Sequence, residues 1–310
     1  MVDVATAPRP GLGDLQGNPY NEPVTTILGE RVAELRSDRR HGASWMARLA
    51  VEGLVEVAEQ PAKTGEELLE HLVAAGRELA ATRPGVGAIA GAVGRLLAAA
   101  NRHAQLEAHH LRQLVREEAQ SLIDGRRRAG ASIAIQLRER LCEAVVLTHS
   151  ASATVREALL LTPPERVICT VSSPQEEGRA FAQELREAGL EVELVDDDKA
   201  PRELEWASLL LLGADTVFRC GTLCNKEGTR ALAEAAADEG VPAIVACEVI
   251  KLAPIRAAEA PTPAGTVELT PPELIDRVVT EEGSFVVEEI PALVDRTPFL
   301  REGYALLRRA

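Results

Sequence analysis

VVLTHSASATVREALLL, Val145 to Leu161, is the run that decides the fold. Val145, Val146 and Leu147 read as a buried strand, Thr148, His149 and Ser150 as a turn, and Val155, Ala158 and Leu159 recur at helical spacing. A strand therefore feeds straight into a helix. The first N–H groups of such a helix lack intrahelical partners and the helix dipole adds partial positive charge, so the turn suits an anion. The small residues Ser150, Ala151, Ser152 and Ala153 would let a phosphate approach closely. The same turn is equally compatible with a helix capped by its own Ser150 or Ser152.

Downstream the pattern repeats. β-rich runs at Ala144–Thr148, Arg166–Val171, Glu191–Val195, Ser208–Leu212 and Pro242–Ala246 alternate with helical stretches such as Glu177–Ala188 and Lys226–Glu239. Such alternation implies right-handed βαβ crossovers and a mostly parallel sheet, with ligands bound beyond the carboxyl ends of the strands. Polar residues gather at those ends: Thr148-His149-Ser150, Ser172-Ser173-Pro174, Asp196-Asp197-Asp198, and Gly213-Ala214-Asp215 after four leucines. A carboxylate placed like Asp215 is costly unless it is paired or used. In this reading Asn225 and Lys226 open the next helix, and the fifth strand leads to Glu248 and Lys251. The set fits a phosphorylated polyhydroxy ligand, with the turn and Lys226 on phosphate and Asp215 taking hydroxyl protons or serving as general base. GTLCNKEGT is not a P-loop, and no Gly-rich dinucleotide fingerprint occurs.

Upstream, no strand signal precedes Cys142. A short helix is expected over Thr25–Leu35, then one opened by Ala43 and Ser44 with apolar Met46, Leu49, Ala50, Leu54, Val55 and Val57. Another spans Thr64–Ala80, an apolar helix follows Arg83-Pro84, and His103–Glu139 forms one long helix or two joined near Gly125 and Gly130. The expected class is α/β: a loose tail over 1–23, a helical domain over 24–140, and a Rossmann-like domain with a mostly parallel sheet over 141–310. Arg39, Arg40, His41 and Gly42 crowd basic groups at a helix start, either a second anion site or a surface turn with solvated arginines.

The 310 residues can hold two domains, and 46% hydrophobic with 3% aromatic residues makes an aliphatic core. A net charge of −14 argues against direct nucleic-acid binding, and Arg126, Arg127 and Arg128 read as a solvated face of an acidic helical region. Five cysteines, mostly in apolar runs, fit reduced thiols in the cytoplasm. Cys220 and Cys224 have no second pair or nearby His to complete a zinc site, so neither metal nor cofactor is expected. No apolar run reaches the about 18 residues of a membrane span, and the N-terminus lacks a signal-peptide core.

HGAS at His41–Ser44, RP at Arg83–Pro84, THSAS at Thr148–Ser152, GAD at Gly213–Asp215, NKEGT at Asn225–Thr229, CEVIK at Cys247–Lys251 and VVTEEG at Val278–Gly283 occur in that order. The ordered set, from Arg39 to the C-terminus, resembles the initiation factor 2B alpha/beta/delta family, which is similar to methylthioribose-1-phosphate isomerase and ribose-1,5-bisphosphate isomerase. The resemblance implies a helical domain before a Rossmann-like one, a homodimer or larger assembly, and a pocket for a phosphorylated sugar or nucleoside monophosphate. It implies that His41, Gly42, Ala43, Arg83, Ser150, Ser152, Glu177, Gly178, Asn225, Lys226 and Lys251 bind the ligand, and that Asp215 and Ser150 hold the catalytic positions.

The chain departs from the isomerase pattern at specific places. In the isomerases a cysteine occupies the position of Ser150, with the GAD aspartate as its partner. A serine hydroxyl ionises far above a thiol's value of about 8.5 and does not readily exchange protons. THS is the form of the noncatalytic alpha subunit, whereas that subunit tends to carry GAE, so GAD leans toward the isomerases. Two arginines of the isomerase pattern are replaced by Ser173 and His41; Arg40 or Arg179 could stand in for them, and Cys220 or Cys224 could supply a displaced thiol. The expected function is therefore an initiation factor 2B-like protein that binds a phosphorylated sugar or nucleotide in a regulatory or assembly role. The alternative is an aldose–ketose isomerase acting on a sugar 1-phosphate.

Overall fold

The computed structural model describes residues 24–39, 41–263 and 265–308, so the expected tail over 1–23 lies outside the described residues. Five helices come first: α1 Val24–Ser37, α2 Ala43–Ala58, α3 Gly65–Ala80, α4 Gly87–Arg102 and α5 Ala108–Leu141. Each offers apolar residues at spacings of three and four, which form one stripe on a helix. Met46, Leu49, Ala50, Leu54 and Val57 of α2 meet Leu68, Leu72 and Leu79 of α3 and Ile89, Val93, Leu96 and Leu97 of α4 in one buried cluster. Thr64 caps α3 by accepting the Glu67 N–H at 3.1 Å.

Helix α5 is one continuous helix of 34 residues, which resolves the alternative at Gly125 and Gly130. Its first half packs Leu111, Val115, Ala119 and Leu122 into the helical cluster. Its second half places Ile133, Ala134, Leu137 and Leu141 under the sheet. At about 1.5 Å per residue it is about 50 Å long, so it links the two cores as a strut.

The sheet elements follow in chain order: β1 Val145–Thr148, α6 Ala153–Leu161, β2 Arg166–Thr170, α7 Glu177–Glu187, β3 Val192–Val195, α8 Ala200–Glu203, β4 Leu209–Leu212, β5 Thr216–Phe218, β6 Leu223–Lys226, α9 Thr229–Glu239, β7 Ala243–Ala246, β8 Leu252–Ala253, β9 Val267–Thr270, β10 Arg277–Thr280, β11 Gly283–Phe285, α10 Ile290–Asp295 and α11 Pro298–Leu307. The seven-stranded sheet has the order β11-β10-β7-β4-β1-β2-β3. All its neighbours are parallel except the edge pair β10–β11. The β4 leucines are buried on both faces, as a central parallel strand requires. The five expected strands fall within one residue of their expected bounds.

From β1 the chain winds outward one way through β2 and β3, then returns to β4 and winds the other way through β7 and β10. The reversal leaves a crevice between the carboxyl ends of β1 and β4, the general ligand position in such sheets. Ser150 follows β1 and Asp215 follows β4, so both expected catalytic positions flank this crevice.

A second sheet, β8-β5-β6-β9, stands over the ends of the first and corrects one expectation. Asn225 and Lys226 do not open a helix; they end strand β6, paired with Glu268 and Val267 of β9. The turn after them needs φ +99 at Gly228, and the Glu268 carboxylate accepts the Gly228 and Arg230 N–H groups, so α9 begins only at Thr229. The chain ends by packing α11 on α4, where Gly94 and Gly303 let the two backbones touch. Among the described residues no helix is long and apolar enough to cross a membrane.

Candidate functional site

A cavity of about 880 Å³ opens beyond the crevice, roofed by the start of α2 and the Thr82–Val86 turn. Asp215, Ser150, His41, Gly42, Ala43, Arg83, Ser152, Glu177, Asn225, Lys226 and Lys251 all line it. Gly178 does not. Its N–H goes to the Val171 carbonyl at 3.1 Å and its Cα lies against the Thr170 and Val171 carbonyls, so it serves the docking of α7 rather than the wall.

The roof is electropositive and open. Gly42 is the N-cap of α2 and makes no side-chain cap, so among the described residues the first-turn N–H groups of Ala43 and Ser44 have no acceptor. Arg39 donates to the Arg36 and Asp38 carbonyls at 2.7 Å, and Arg83 reaches the Arg36 carbonyl at 3.5 Å. Neither guanidinium has a carboxylate within ion-pair distance among the described residues. Burial and the neighbouring Arg39 charge pull Arg83 below the ordinary arginine range, against Asp38 and Asp215. Of the two proposed substitute arginines, Arg40 lies outside the described residues, and exposed Arg179 does not line the cavity but pairs at 2.9 Å with Glu176, which does.

The floor differs from the open turn that the sequence suggests. Ser150 sits at φ 65 and donates its N–H to Ser172 Oγ at 2.8 Å, so this N–H is not available to an anion. Ser152 caps α6 by accepting the Val155 N–H at 3.3 Å. Beneath them His149 is buried, with Nε2 2.8 Å from the Glu227 carbonyl and Nδ1 2.7 Å from Thr170 Oγ1, which is 2.7 Å from Ser172 Oγ. A carbonyl only accepts, so Nε2 carries the proton and Nδ1 accepts from Thr170. Thr170 then accepts from Ser172, and Ser172 accepts from the Ser150 N–H. Burial keeps His149 below its ordinary pKa and hence neutral, which fixes that chain in one direction.

The charged side chains on the floor are mostly paired. The Ser150 hydroxyl donates to Glu177 Oε1 at 2.7 Å. The buried Lys226 ammonium donates to Gln175 at 2.5 Å and Glu177 at 3.1 Å, so it already holds a carboxylate. Asn225 donates to Thr229 Oγ1 at 3.1 Å. Lys251 pairs with buried Glu248 at 3.2 Å. Burial favours protonated Glu248, but Lys251 and Arg126 outweigh it and hold the carboxyl below the ordinary glutamate range.

Asp215 is the exception. Its backbone is fixed by Cys224 and Ala88, yet its carboxylate makes no hydrogen bond or ion pair among the described residues. Burial pushes it up to about 6, against the pull of Lys251, Arg83 and Lys226. It is thus an acceptor available to a ligand, poised between its two protonation states near neutral pH.

Arg126 corrects the reading of a solvated basic face. Arg127 and Arg128 are exposed, but Arg126 turns inward, lines the cavity and lies 3.6 Å from Glu248. The displaced-thiol reading is also corrected. Cys224 is buried in β6 and pushed up to about 12 by burial, and exposed Cys220 lies beside Pro272 and Val287; neither lines the cavity.

The sequence model of the initiation factor 2 subunit family matches residues 39–264, a span that includes every expected site residue. The chain belongs to this family. A translation initiation factor eIF-2B subunit 2-like protein of Pyrococcus horikoshii is 34% identical over 239 residues, covering 74% of this chain and 82% of that one. A ribose 1,5-bisphosphate isomerase of Archaeoglobus fulgidus is 30% identical over 230 residues, covering 73% and 72%. The crystal structure of the tetrameric eIF2B-beta2-delta2 complex of Chaetomium thermophilum contains a chain with TM-score 0.75 at 21% identity, covering 89% of this chain and 96% of that one. The family thus includes relatives named as initiation factor subunits and relatives named as sugar-phosphate isomerases.

Proposed function

We propose that this family member binds a phosphorylated sugar or nucleoside monophosphate in the cavity, in a regulatory or assembly role, as a homodimer or larger assembly in the cytoplasm. The Arg39–Arg83 pair carries the reading. Two like charges acting on one another beside an uncapped helix start, Arg39 exposed and Arg83 half-buried, are unfavourable until an anion joins them, and a phosphate supplies two charges and several acceptors. Asp215 repels that phosphate and accepts from hydroxyls, so the ligand is oriented with phosphate at the roof and sugar at the sheet. Ser150 speaks against turnover: its hydroxyl is directed at a carboxylate, which makes removal of its proton harder still.

Isomerase chemistry is the second reading, favoured by the unpaired Asp215 carboxyl near pH 6. Melting curves with ribose, ribose 5-phosphate and AMP test the binding reading. A phosphate ester at a hundred times its Kd adds about 2.7 kcal/mol, a rise of several degrees, and plain ribose adds none. No rise with any phosphate ester overturns it. Ketose formation from ribose 1,5-bisphosphate or methylthioribose 1-phosphate, followed by NMR and abolished by Asp215→Asn, decides for the isomerase.

A further inference from the structure

We propose that Glu107, His109 and His110, at the start of α5, form a chelating site for one divalent transition metal ion of the zinc class. The site lies outside the cavity and does not depend on the phosphate-binding reading. Each of the three residues offers one ligand atom, and the three atoms lie within 4.8 Å of one another. His109 Nδ1 is 3.3 Å from a Glu107 carboxylate oxygen, and the His109 and His110 rings lie against each other with centroids 3.8 Å apart and planes tilted by 41°. Successive residues of a helix point about 100° apart and do not ordinarily share a face, so this convergence is not a product of helix geometry alone. The expectation that no metal binds turns on Cys220 and Cys224, and these three residues stand elsewhere in the fold.

The backbone beneath the cluster is fixed. The Glu107 carbonyl accepts the N–H groups of His110 and Leu111 at 3.0 and 3.1 Å, and Ala108 and Leu111 are buried on either side. The turn just before it is wedged against α3: a Cβ on Gly65 would overlap the Ala104 and Leu106 carbonyls. Donors held on such a support lose little freedom when a metal joins them. The side chains themselves are exposed and free to close. Ligand atoms about 2.0–2.2 Å from a tetrahedral ion lie about 3.4 Å apart, a contraction that small side-chain rotations supply.

The donor set selects the ion. Two imidazole nitrogens and one carboxylate oxygen suit Zn²⁺, Ni²⁺ or Cu²⁺, whereas Mg²⁺ and Ca²⁺ require oxygen ligands in greater number. Three protein ligands leave a fourth position to water. The positive end of the α5 dipole acts against a cation here and the Glu107 charge offsets it, so the chelating side chains, not the helix end, carry the site. Affinity in the micromolar range is therefore expected.

Calorimetric titration of the full chain, without an affinity tag, with ZnCl₂ and MgCl₂ tests the site. One Zn²⁺ per chain is expected to bind in the micromolar range, with no binding of Mg²⁺. His109→Ala and His110→Ala are each expected to weaken Zn²⁺ at least about tenfold. Both positions are exposed, so the metal-free variants are expected to melt with the parent. Glu107→Gln is expected to weaken Zn²⁺ as well, and since Glu107 makes no side-chain cap its replacement does not uncap α5. Exposed Cys142 and Cys220 are the competing zinc ligands, and the double variant Cys142→Ser/Cys220→Ser is expected to bind Zn²⁺ as the parent does. No Zn²⁺ binding by the parent, equal affinity of His110→Ala and the parent, or binding lost in the cysteine double variant overturns the site.

Discussion

Asp215→Asn is expected to stabilise the free protein by roughly 2–3 kcal/mol at pH 7.5, with the gain fading as the pH falls toward 4. The Asp215 carboxyl sits at about 6 in the folded chain against an ordinary 3.8. A proton therefore binds the folded form more tightly than the unfolded one. The stability that this proton contributes is complete below about 3.8 and is lost as the pH rises through about 6. Above that, the folded chain carries an ionised carboxylate without a hydrogen bond, at a cost of about 1.4 kcal/mol for each pH unit between the two values. Asparagine removes the charge and nearly keeps the shape. Urea unfolding at pH 4.5, 6 and 7.5 measures the effect. A gain that is independent of pH, or a loss at pH 7.5, would show that the carboxylate is held by its cationic neighbours rather than strained. The variant is also expected to bind phosphorylated sugars more weakly, because an amide accepts from hydroxyls less strongly than a carboxylate. A site residue that destabilises the free chain is the usual trade between stability and function.

Gly178→Ala is expected to cost about 3 kcal/mol or to prevent folding. A Cβ at this position would overlap the Thr170 carbonyl oxygen and crowd that of Val171, and both are backbone atoms of a buried strand end. No rotamer can relieve the overlap, so α7 must lift away from β2. Glu177 is the first residue of α7 and the partner of Ser150 and Lys226, so the cavity floor would be disrupted with it. Gly125→Ala in the middle of α5 is the control: only the far end of Arg128 lies near, and helix propensity predicts a gain of about 0.5–1 kcal/mol. Guanidinium unfolding of both variants tests the pair. Equal stability of Gly178→Ala and the parent would contradict the packing described for α7.

Five strands of the seven-stranded sheet were legible because each is a short, mostly apolar run followed by polar residues, and the strand ends pointed to the crevice; β10 and β11 were not expected. Strands β5, β6, β8 and β9 were not legible. They hold two to four residues each, too few to show a period, and Asn225–Thr229 has the composition of a helix start. The pairing of Asn225 and Lys226 in β6 is set by β9, some forty residues away. The pairing of Lys226 with Glu177 was hidden for the same reason, since 49 residues separate them. Arg126 was hidden differently. Three successive arginines on a helix point about 100° apart, and only the packing of α5 against the sheet decides which one turns inward. The continuity of α5 through two glycines likewise depends on what lies beside it: Gly130 makes room for the Glu157 carboxylate, which a side chain there would displace.

In the proposed function the guanidinium of Arg83, beside the uncapped start of α2, grips a phosphoester in this cavity. Calorimetric titration of ribose 5-phosphate and ribose into the parent and into Arg83→Met tests it most directly. Binding of the phosphate ester alone is expected, weakened at least about tenfold in Arg83→Met while the melting temperature of the ligand-free variant stays at or above that of the parent. Equal affinity of the parent and Arg83→Met for ribose 5-phosphate, or equal binding of ribose and its phosphate, would contradict it.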